Sequence, residues 1–318
     1  MAYSAGDAIL DDEYNTFVNS SSDPFGYNHF AGPGSTVYGL NQSTISTVSA
    51  GDTIAASHWN SLFTGMDNIS NHTNVSITSS SVSAGDTIAI RSALISDLAN
   101  LAAAVAGGCT SATAIDSPAS AGSSTNSGTW NSSSTIERSI TFANNATMRA
   151  FFNAGGYVRI DPSCVTGIAG SKDNVFNDLT VTATGNLDLK AHSTTRSGSG
   201  ETLTTNGLAN GFHDLGTGYT VLLKLTSNNS GYTSDTVTYS AKLNAAPATA
   251  TVLTIKMVST DPAADTTYTS PNTSGVPANP NEAPRMTLAL LTANPNDTQG
   301  LAADITPSSN AQVSNSAS

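Results

Sequence analysis

Apolar residues near the start of the chain recur every three or four positions in two segments. Such spacing places the side chains on one stripe of an α-helix, and a single stripe is typical of helices that pack against each other at a shallow angle. The pattern predicts two packed helices, and Leu10, Tyr14 and Phe17 indicate a third. The stripes consist of Trp59, Leu62, Met66 and Ile69 in one segment and Leu94, Leu98, Leu101 and Val105 in the other.

A short repeat precedes each of these segments. The string Ser-Ala-Gly-Asp occurs at 4–7, 49–52 and 83–86, and the second and third copies both read VSAGDTIA. Glycine permits a tight bend, and Asp or Thr accepts hydrogen bonds from the free amides of a first helical turn. The repeat therefore predicts a turn followed by a helix start. Gly107 and Gly108 predict the end of the last helix.

The second half of the chain alternates between apolar and polar residues, as half-buried strands do. In the clearest case, Val237, Tyr239, Ala241 and Leu243 face one side of a strand and the residues between them face the other. Strands are predicted at 136–142, 157–160, 179–183, 219–225, 237–243, 252–258 and 286–290, with a short helix at 147–153.

These elements predict an α+β protein. A small N-terminal helical module with turn-helix repeats is followed by a mainly antiparallel domain that resembles a β-sandwich or jelly roll. We expect an ordered arm at 23–41 within the module, because that segment is rich in Gly, Pro, Tyr and Phe. The predicted domains are a helical assembly and docking module at 1–110, a Ser/Thr/Gly-rich linker at 111–134, the β domain at 135–294 and a loosely held polar tail at 295–318.

Composition narrows the functional classes. Only 11% of residues are charged, about half of the roughly 25% that is usual, and the net charge is −12. Nucleic-acid binding needs clustered Lys and Arg, and the 11 basic residues are scattered, so no nucleic-acid partner is predicted. No run approaches the roughly 20 apolar residues of a membrane span, so no membrane partner is predicted either. The acidic N-terminus does not resemble a secretory signal, so synthesis in the cytoplasm is expected.

Motifs that carry chemistry are missing from the sequence. The histidines are separated and none has the spacing of a zinc motif, and neither a GxSxG nucleophile elbow nor a phosphate-binding glycine motif is present. The two cysteines, Cys109 and Cys164, do not form a disulfide framework or a metal motif and are predicted to be unpaired thiols. No catalytic residue, cofactor or metal is predicted, and the chain is expected not to be an enzyme.

Two segments carry a resemblance to a known family. TMRAFFNAGG at 147–156, followed by YVRI at 157–160, resembles a stretch of virion structural proteins of tailed bacteriophages, of the marine myophage and cyanophage type. The pattern SAGD-x-I-x-x-x-x-W-N-x-L at 49–62 is similar to one near the N-termini of those proteins. The resemblance implies a particle component of the neck, tail or fibre and brings no catalytic residues. The third repeat departs from it, with Ala93 and Leu94 in the places of Trp59 and Asn60.

Together these features predict a homo-oligomeric virion structural protein, a collar or fibre component of the neck or tail, assembled in the host cytoplasm. Its expected partners are copies of itself and other virion proteins. Alternatives are a capsid decoration or head-fibre protein, a host-surface adhesin that binds a glycan, and a depolymerase enzyme. The predicted assembly interface consists of Trp59, Leu62, Met66 and Ile69, supported by Tyr14, Phe17, Leu94, Leu98 and Leu101. The competing interpretation is that these stripes form the core of the helical module within one chain.

Overall fold

A computed structural model describes residues 11–84, 91–126, 130, 132–165, 171–230, 232–262, 285–301 and 303–317. The chain divides into two compact units, each made of separate stretches of sequence. Unit 1 contains 1–117, 144–156 and 294–306, and unit 2 contains 118–143, 157–293 and 307–318. The α+β class is confirmed, with a helical N-terminal part and a mainly antiparallel β part.

Unit 1 is a small helical assembly. The predicted helices are present, because each apolar stripe is buried against its neighbours: α3 packs against α4, and the short α2 packs against α1, α3 and α4. Two later stretches of the chain add to it, one carrying a helix and one a single 3-10 turn. The helices are α1 Asp11–Asn19, α2 Tyr27–Ala31, α3 Ala56–Thr73, α4 Arg91–Ala106 and α5 Asn145–Asn153, with the 3-10 helix at Asp297–Gln299.

Unit 2 contains a five-stranded and a six-stranded antiparallel sheet, in the orders β1-β10-β3-β4-β5 and β11-β2-β9-β8-β7-β6. Strands β6 to β9 are neighbours both in sequence and in the sheet, so they form a meander. The strands are β1 Ala119–Thr125, β2 Ser133–Thr141, β3 Tyr157–Val165, β4 Leu187–Leu189, β5 Thr194–Arg196, β6 Thr202–Asn206, β7 Thr220–Thr226, β8 Thr236–Leu243, β9 Val252–Thr260, β10 Arg285–Ala293 and β11 Ser309–Ala317. Unit 2 also contains α6 Ser171–Asn177, a π-helix at Asp178–Thr184 and a 3-10 helix at Phe212–Asp214.

The core of unit 2 follows the predicted alternation. Along β2, β8 and β10 nearly every second residue is buried. Ile136, Ile140, Tyr239 and Leu288 are among these residues, with at most 1% of each exposed. A two-residue period explains the pattern, because successive side chains of a strand point to opposite faces of its sheet.

The structure corrects three features of the predicted domain organisation. Residues 119–125 lie in the predicted linker but form strand β1, which pairs with β10. Residues 309–317 lie in the predicted loose tail but form strand β11, which pairs with β2. The predicted β domain is not continuous, because 144–156, with α5, belongs to unit 1. Neither strand was predicted from the sequence, because both are rich in small polar residues, and Ser, Gly and Asn are typical of turns and linkers.

The predicted strand at 179–183 is wrong, because 178–184 forms a π-helix. The alternation of Leu, Thr and Val there suggested a pleat. In the structure, the hydroxyl of Thr180 donates to the Phe176 carbonyl at 2.6 Å, and that of Thr184 donates to the Leu179 carbonyl at 2.7 Å. These side-chain bonds satisfy backbone carbonyls of a helical turn and compete with strand formation.

The predicted arm at 23–41 is also corrected. The segment contains α2 and contributes Tyr27, Phe30 and Leu40 to the buried core, with 4%, 0% and 1% exposed. Tyr27 and Phe30 pack inside unit 1 because the short α2 contacts three other helices of the unit. The first copy of the repeat, at 4–7, and most of the third, at 85–90, lie outside the described residues.

Candidate assembly interface and the repeat clamps

The predicted interface residues of the first two segments form an aromatic cluster inside unit 1. The Tyr14 ring meets the Trp59 ring edge to face at 5.3 Å between centroids, and Phe17 lies 5.9 Å from Trp59. The Phe63 ring stacks on the Trp59 ring, with 6.0 Å between centroids. The Tyr14 hydroxyl donates to the His58 carbonyl at 3.2 Å. This cluster joins α1 to the start of α3.

All the predicted interface residues are buried within the chain. Trp59 is the most informative case, because only 2% of it is exposed. The structure therefore corrects the interface prediction: these side chains fill the core of unit 1 and offer no exposed docking surface. The set is Tyr14, Phe17, Trp59, Leu62, Met66, Ile69, Leu94, Leu98 and Leu101. Amphipathic spacing could not separate the two interpretations, since a helix presents the same stripe to its own chain as to a partner.

An asparagine of one repeat holds the backbone in front of the next repeat. The side-chain amide of Asn15, on α1, donates to the Val48 carbonyl at 2.9 Å, and the Val48 N–H donates to Asn15 Oδ1 at 2.9 Å. Asn60, on α3, makes the same pair of bonds with Val82, at 2.9 and 2.8 Å. Val48 and Val82 each directly precede a copy of Ser-Ala-Gly-Asp. We call these two bidentate contacts the repeat clamps.

The repeat clamps explain where the sequence copies differ. Asn15 and Asn60 occupy the same position relative to the first and second Ser-Ala-Gly-Asp strings. In the third copy that position is Leu94, which is buried, and no fourth copy follows it in the sequence. The asparagine is therefore present in the two copies that are followed by another repeat. In the last copy, a buried leucine replaces it. The pairs Tyr14-Asn15 and Trp59-Asn60 were the sequence signal for this site.

A second contact holds each of the same extended segments three residues earlier. The Asn28 side chain bonds both the N–H and the carbonyl of Ile45, at 2.8 Å each. At the equivalent place in the next repeat, the Asp97 carboxylate accepts from the N–H groups of Ser79 and Thr78, at 2.8 and 2.9 Å. Only 4% of Asp97 is exposed, so these bonds stabilise a charge that would otherwise be costly to bury.

Side chains of α5 hold the loop that follows α2. The Arg149 guanidinium donates to the carbonyls of Pro33 and Gly34, at 2.6 and 3.1 Å. Asn153 donates to the Gly39 carbonyl at 3.1 Å. Burial lowers the pKa of Arg149. The segment TMRAFFNAGG therefore contributes a helix that fastens a loop within unit 1.

A buried arginine fastens the edges of the two sheets of unit 2. The Arg138 guanidinium, on β2, donates to the Ser123 carbonyl of β1 at 2.7 Å and to Asn310 Oδ1 of β11 at 2.6 and 3.1 Å. Only 5% of Arg138 is exposed, and burial lowers its pKa. Sequence reasoning missed this residue because an inward-pointing arginine in a strand is rare.

The outer face of the six-stranded sheet carries a charged cluster. The ammonium groups of Lys242 and Lys256 lie 4.4 and 3.7 Å from the centre of the Tyr219 ring. Glu137 is directly opposite Lys256 in the register of β2 and β9. Burial raises the pKa of Tyr219, and the Glu137 carboxylate raises it further. Cation–π contacts of this kind stabilise the packing of a surface tyrosine.

In the described part of the chain, His58 and His72 contact backbone groups and both cysteines lie in the protein interior. His58 Nδ1 accepts from the Ala55 N–H at 3.2 Å at the start of α3, and His72 Nε2 lies 2.8 Å from the Ala154 carbonyl oxygen. Cys109 and Cys164 are buried, and burial raises the pKa of the Cys109 thiol. Among the described residues, no group of three His, Cys, Asp or Glu side chains could hold a metal ion.

No helix in the described ranges is long and apolar enough to cross a membrane. Comparison of the chain with protein-family models, with curated proteins and with solved structures finds no match.

Proposed function

We propose that the chain is a non-enzymatic structural protein of a bacteriophage particle, acting as a homo-oligomeric collar or fibre component of the neck or tail. Its partners would be copies of itself and other virion proteins. The proposal rests on two supports: the roles of the polar side chains within the units, and the resemblance of 49–62 and 147–160 to virion proteins of tailed phages.

The observation that carries the proposal is the use of buried and half-buried polar side chains. Asn15, Asn60, Asp97, Arg138 and Arg149 belong to residue types that serve catalysis or ligand binding in other proteins. Here each of them bonds main-chain groups of its own unit. Bonds of this kind fix loops and edges in one geometry, because an unsatisfied buried partner would cost about 1–3 kcal/mol. Rigid repeats and a sandwich suit a particle subunit better than an enzyme.

Co-sedimentation with particles tests the virion part of the proposal. Particles from the source lysate are banded on a density gradient, and fractions are probed with an antibody against the purified chain. We expect the chain to band with the particles and to remain there after a high-salt wash. Purified chain added to particles of an unrelated phage controls for adventitious binding. A chain that stays entirely at the top of the gradient would contradict the proposal.

Mass photometry of the purified chain tests self-association separately. The proposal predicts species at defined multiples of the single-chain mass. A chain that is monomeric at every concentration, and that binds no other virion protein, would remove the homo-oligomeric collar or fibre role.

A further inference from the structure

Strand β6 is the open edge of the six-stranded sheet. Among the described strands it lies at the end of the order, and its one described partner is β7. Every residue of Thr202–Asn206 is exposed. Within the described part of the chain, no backbone hydrogen bond joins these residues to a segment on their outer side. The N–H and C=O groups on that side are available to another strand.

The other three sheet edges are protected. Edges β1 and β11 contact each other: Arg138 bonds both strands, and the Asn315 side chain donates to the Thr125 carbonyl at 2.7 Å. Edge β5 is only three residues long. Short strands and covered edges are the usual means by which proteins prevent unwanted strand pairing. Strand β6 is five residues long and no described segment covers it, although its pairing with β7 is irregular between Leu203 and Thr205.

The composition of β6 also lacks the usual safeguards. The strand reads TLTTN, with no charge and no proline, in a chain whose net charge is −12. Leu203 is 41% exposed and is one of the few large apolar side chains in the described residues that face solvent. Natural free edges carry Lys, Pro or inward-pointing charges, because a neutral β-prone edge recruits strands. This edge is therefore suited to pairing.

We propose that β6 pairs antiparallel with β6 of a second copy about a two-fold axis, so that two six-stranded sheets become continuous. The inference rests on the self-association in the proposed function and identifies its interface. An antiparallel strand is complementary to itself, which a two-fold interface requires. The absence of charge on β6 lets two strongly acidic chains approach without a like-charge pair at the contact.

A charge placed on the edge tests the pairing. Leu203→Lys introduces an ammonium that each copy would present to the other, so the change acts twice in a two-fold interface. We expect the dissociation constant of the oligomer, measured by mass photometry, to rise at least about tenfold. The matched control is Val313→Lys, which also replaces an exposed apolar residue with lysine, at a 53% exposed position on the opposite edge strand, β11. The control should leave the dissociation constant unchanged.

Cross-linking tests the geometry directly. Thr204→Cys places a thiol in the middle of β6, and the native cysteines are buried. A short bifunctional maleimide should link two copies of this variant, whereas Thr238→Cys on β8, away from the edge, should not be linked. Circular dichroism and thermal unfolding confirm that each variant is folded.

The outcomes separate the two proposals. If the wild-type chain self-associates but Leu203→Lys has the same dissociation constant and Thr204→Cys is not linked, the β6 pairing is wrong and the proposed self-association stands. If the wild-type chain is monomeric and Thr204→Cys is not linked, both the β6 pairing and the self-association in the proposed function are wrong. If Leu203→Lys blocks incorporation into particles without changing self-association, the occupant of β6 is a different virion protein and the pairing of two copies is overturned.

Discussion

The amide of Asn60 forms two hydrogen bonds with the backbone of Val82, which lies directly before the third copy of the repeat. The amide nitrogen donates to the Val82 carbonyl at 2.9 Å, and the amide oxygen accepts from the Val82 N–H at 2.8 Å. A side-chain amide imitates a strand partner in this contact, since it offers a donor and an acceptor side by side. The first two repeats thus each hold the segment before the next repeat through one asparagine amide.

Replacing Asn60 with Leu, the residue at the equivalent place in the third copy, should destabilise unit 1. Two hydrogen bonds are lost and the partly buried Val82 backbone loses both partners, so the free energy of unfolding should fall by about 2 kcal/mol. Urea unfolding followed by fluorescence measures the change. Asn71→Leu, at an exposed position of the same helix, is the control. Equal losses of unfolding free energy in the two variants would show that the clamp does not stabilise unit 1.

Trp59→Ala should unfold unit 1 and not merely weaken self-association. The side chain contacts Tyr14, Phe17 and Phe63 and is 2% exposed, so a loss of about 3–5 kcal/mol is expected. Limited proteolysis should show cleavage within α1 and α3. Val37→Ala, at an exposed apolar position, should have no effect. A Trp59→Ala chain with wild-type stability that no longer self-associates would restore the interface interpretation.

Arg138→Met should destabilise unit 2 by about 3 kcal/mol, because buried hydrogen bonds to a charged group are among the stronger contacts in a protein. Arg159→Met is the matched control. Arg159 pairs with Asp188 at 2.7 Å, but its side chain is 27% exposed, and surface ion pairs contribute about 0–1 kcal/mol. Thermal unfolding of both variants checks the comparison. If both variants lose the same free energy of unfolding, Arg138 does not hold the sheet edges together.

Gly300→Ala and Gly51→Ala separate steric clash from backbone strain. The two glycines have similar positive φ angles, 92° and 90°. A Cβ at Gly300 would lie 1.6 Å from the Asn68 carbonyl oxygen, whereas a Cβ at Gly51 would meet nothing within 4 Å. Gly51→Ala should therefore cost only the strain of the left-handed backbone, about 1–3 kcal/mol. Gly300→Ala should lower the free energy of unfolding by more than Gly51→Ala does, because the 294–306 segment must move away from α3. Equal melting temperatures would disprove the close approach.

Neither cysteine should react with a thiol reagent in the folded chain. Both are buried, and burial raises the pKa of Cys109, so little thiolate is present at neutral pH. Ellman's reagent should label no thiol under native conditions and both thiols in urea. Rapid labelling of a native thiol would indicate that the unit around it opens.

The sequence predicted those elements whose pattern is produced by a single buried face. The stripes of α3 and α4 and the alternation of β8 and β9 were readable because each repeats with the period of its own backbone. Strand β1 could not be predicted from the sequence. Its Gly122 has φ 144°, and a Cβ there would lie 2.3 Å from the Arg138 guanidinium, so the position excludes the side chains that mark a strand.

The candidate site was only partly predictable. Helical spacing located the buried stripes but could not tell a core from an interface. The repeat clamps depend on contacts between residues far apart in sequence, such as Asn15 and Val48, and periodicity contains no information about them. Aligning the copies of the repeat shows that Asn15 and Asn60 share a position and that Leu94 departs from it, but it does not show which backbone groups the asparagines bind.

Immunogold labelling of intact particles from the source lysate, with an antibody against unit 2, tests the central claim most directly. The account predicts gold at one axial site on the neck or tail of each particle. Gold over the whole head would identify a capsid decoration or head-fibre protein, and particles with no gold, in a lysate where the antibody detects the chain elsewhere, would contradict the virion role.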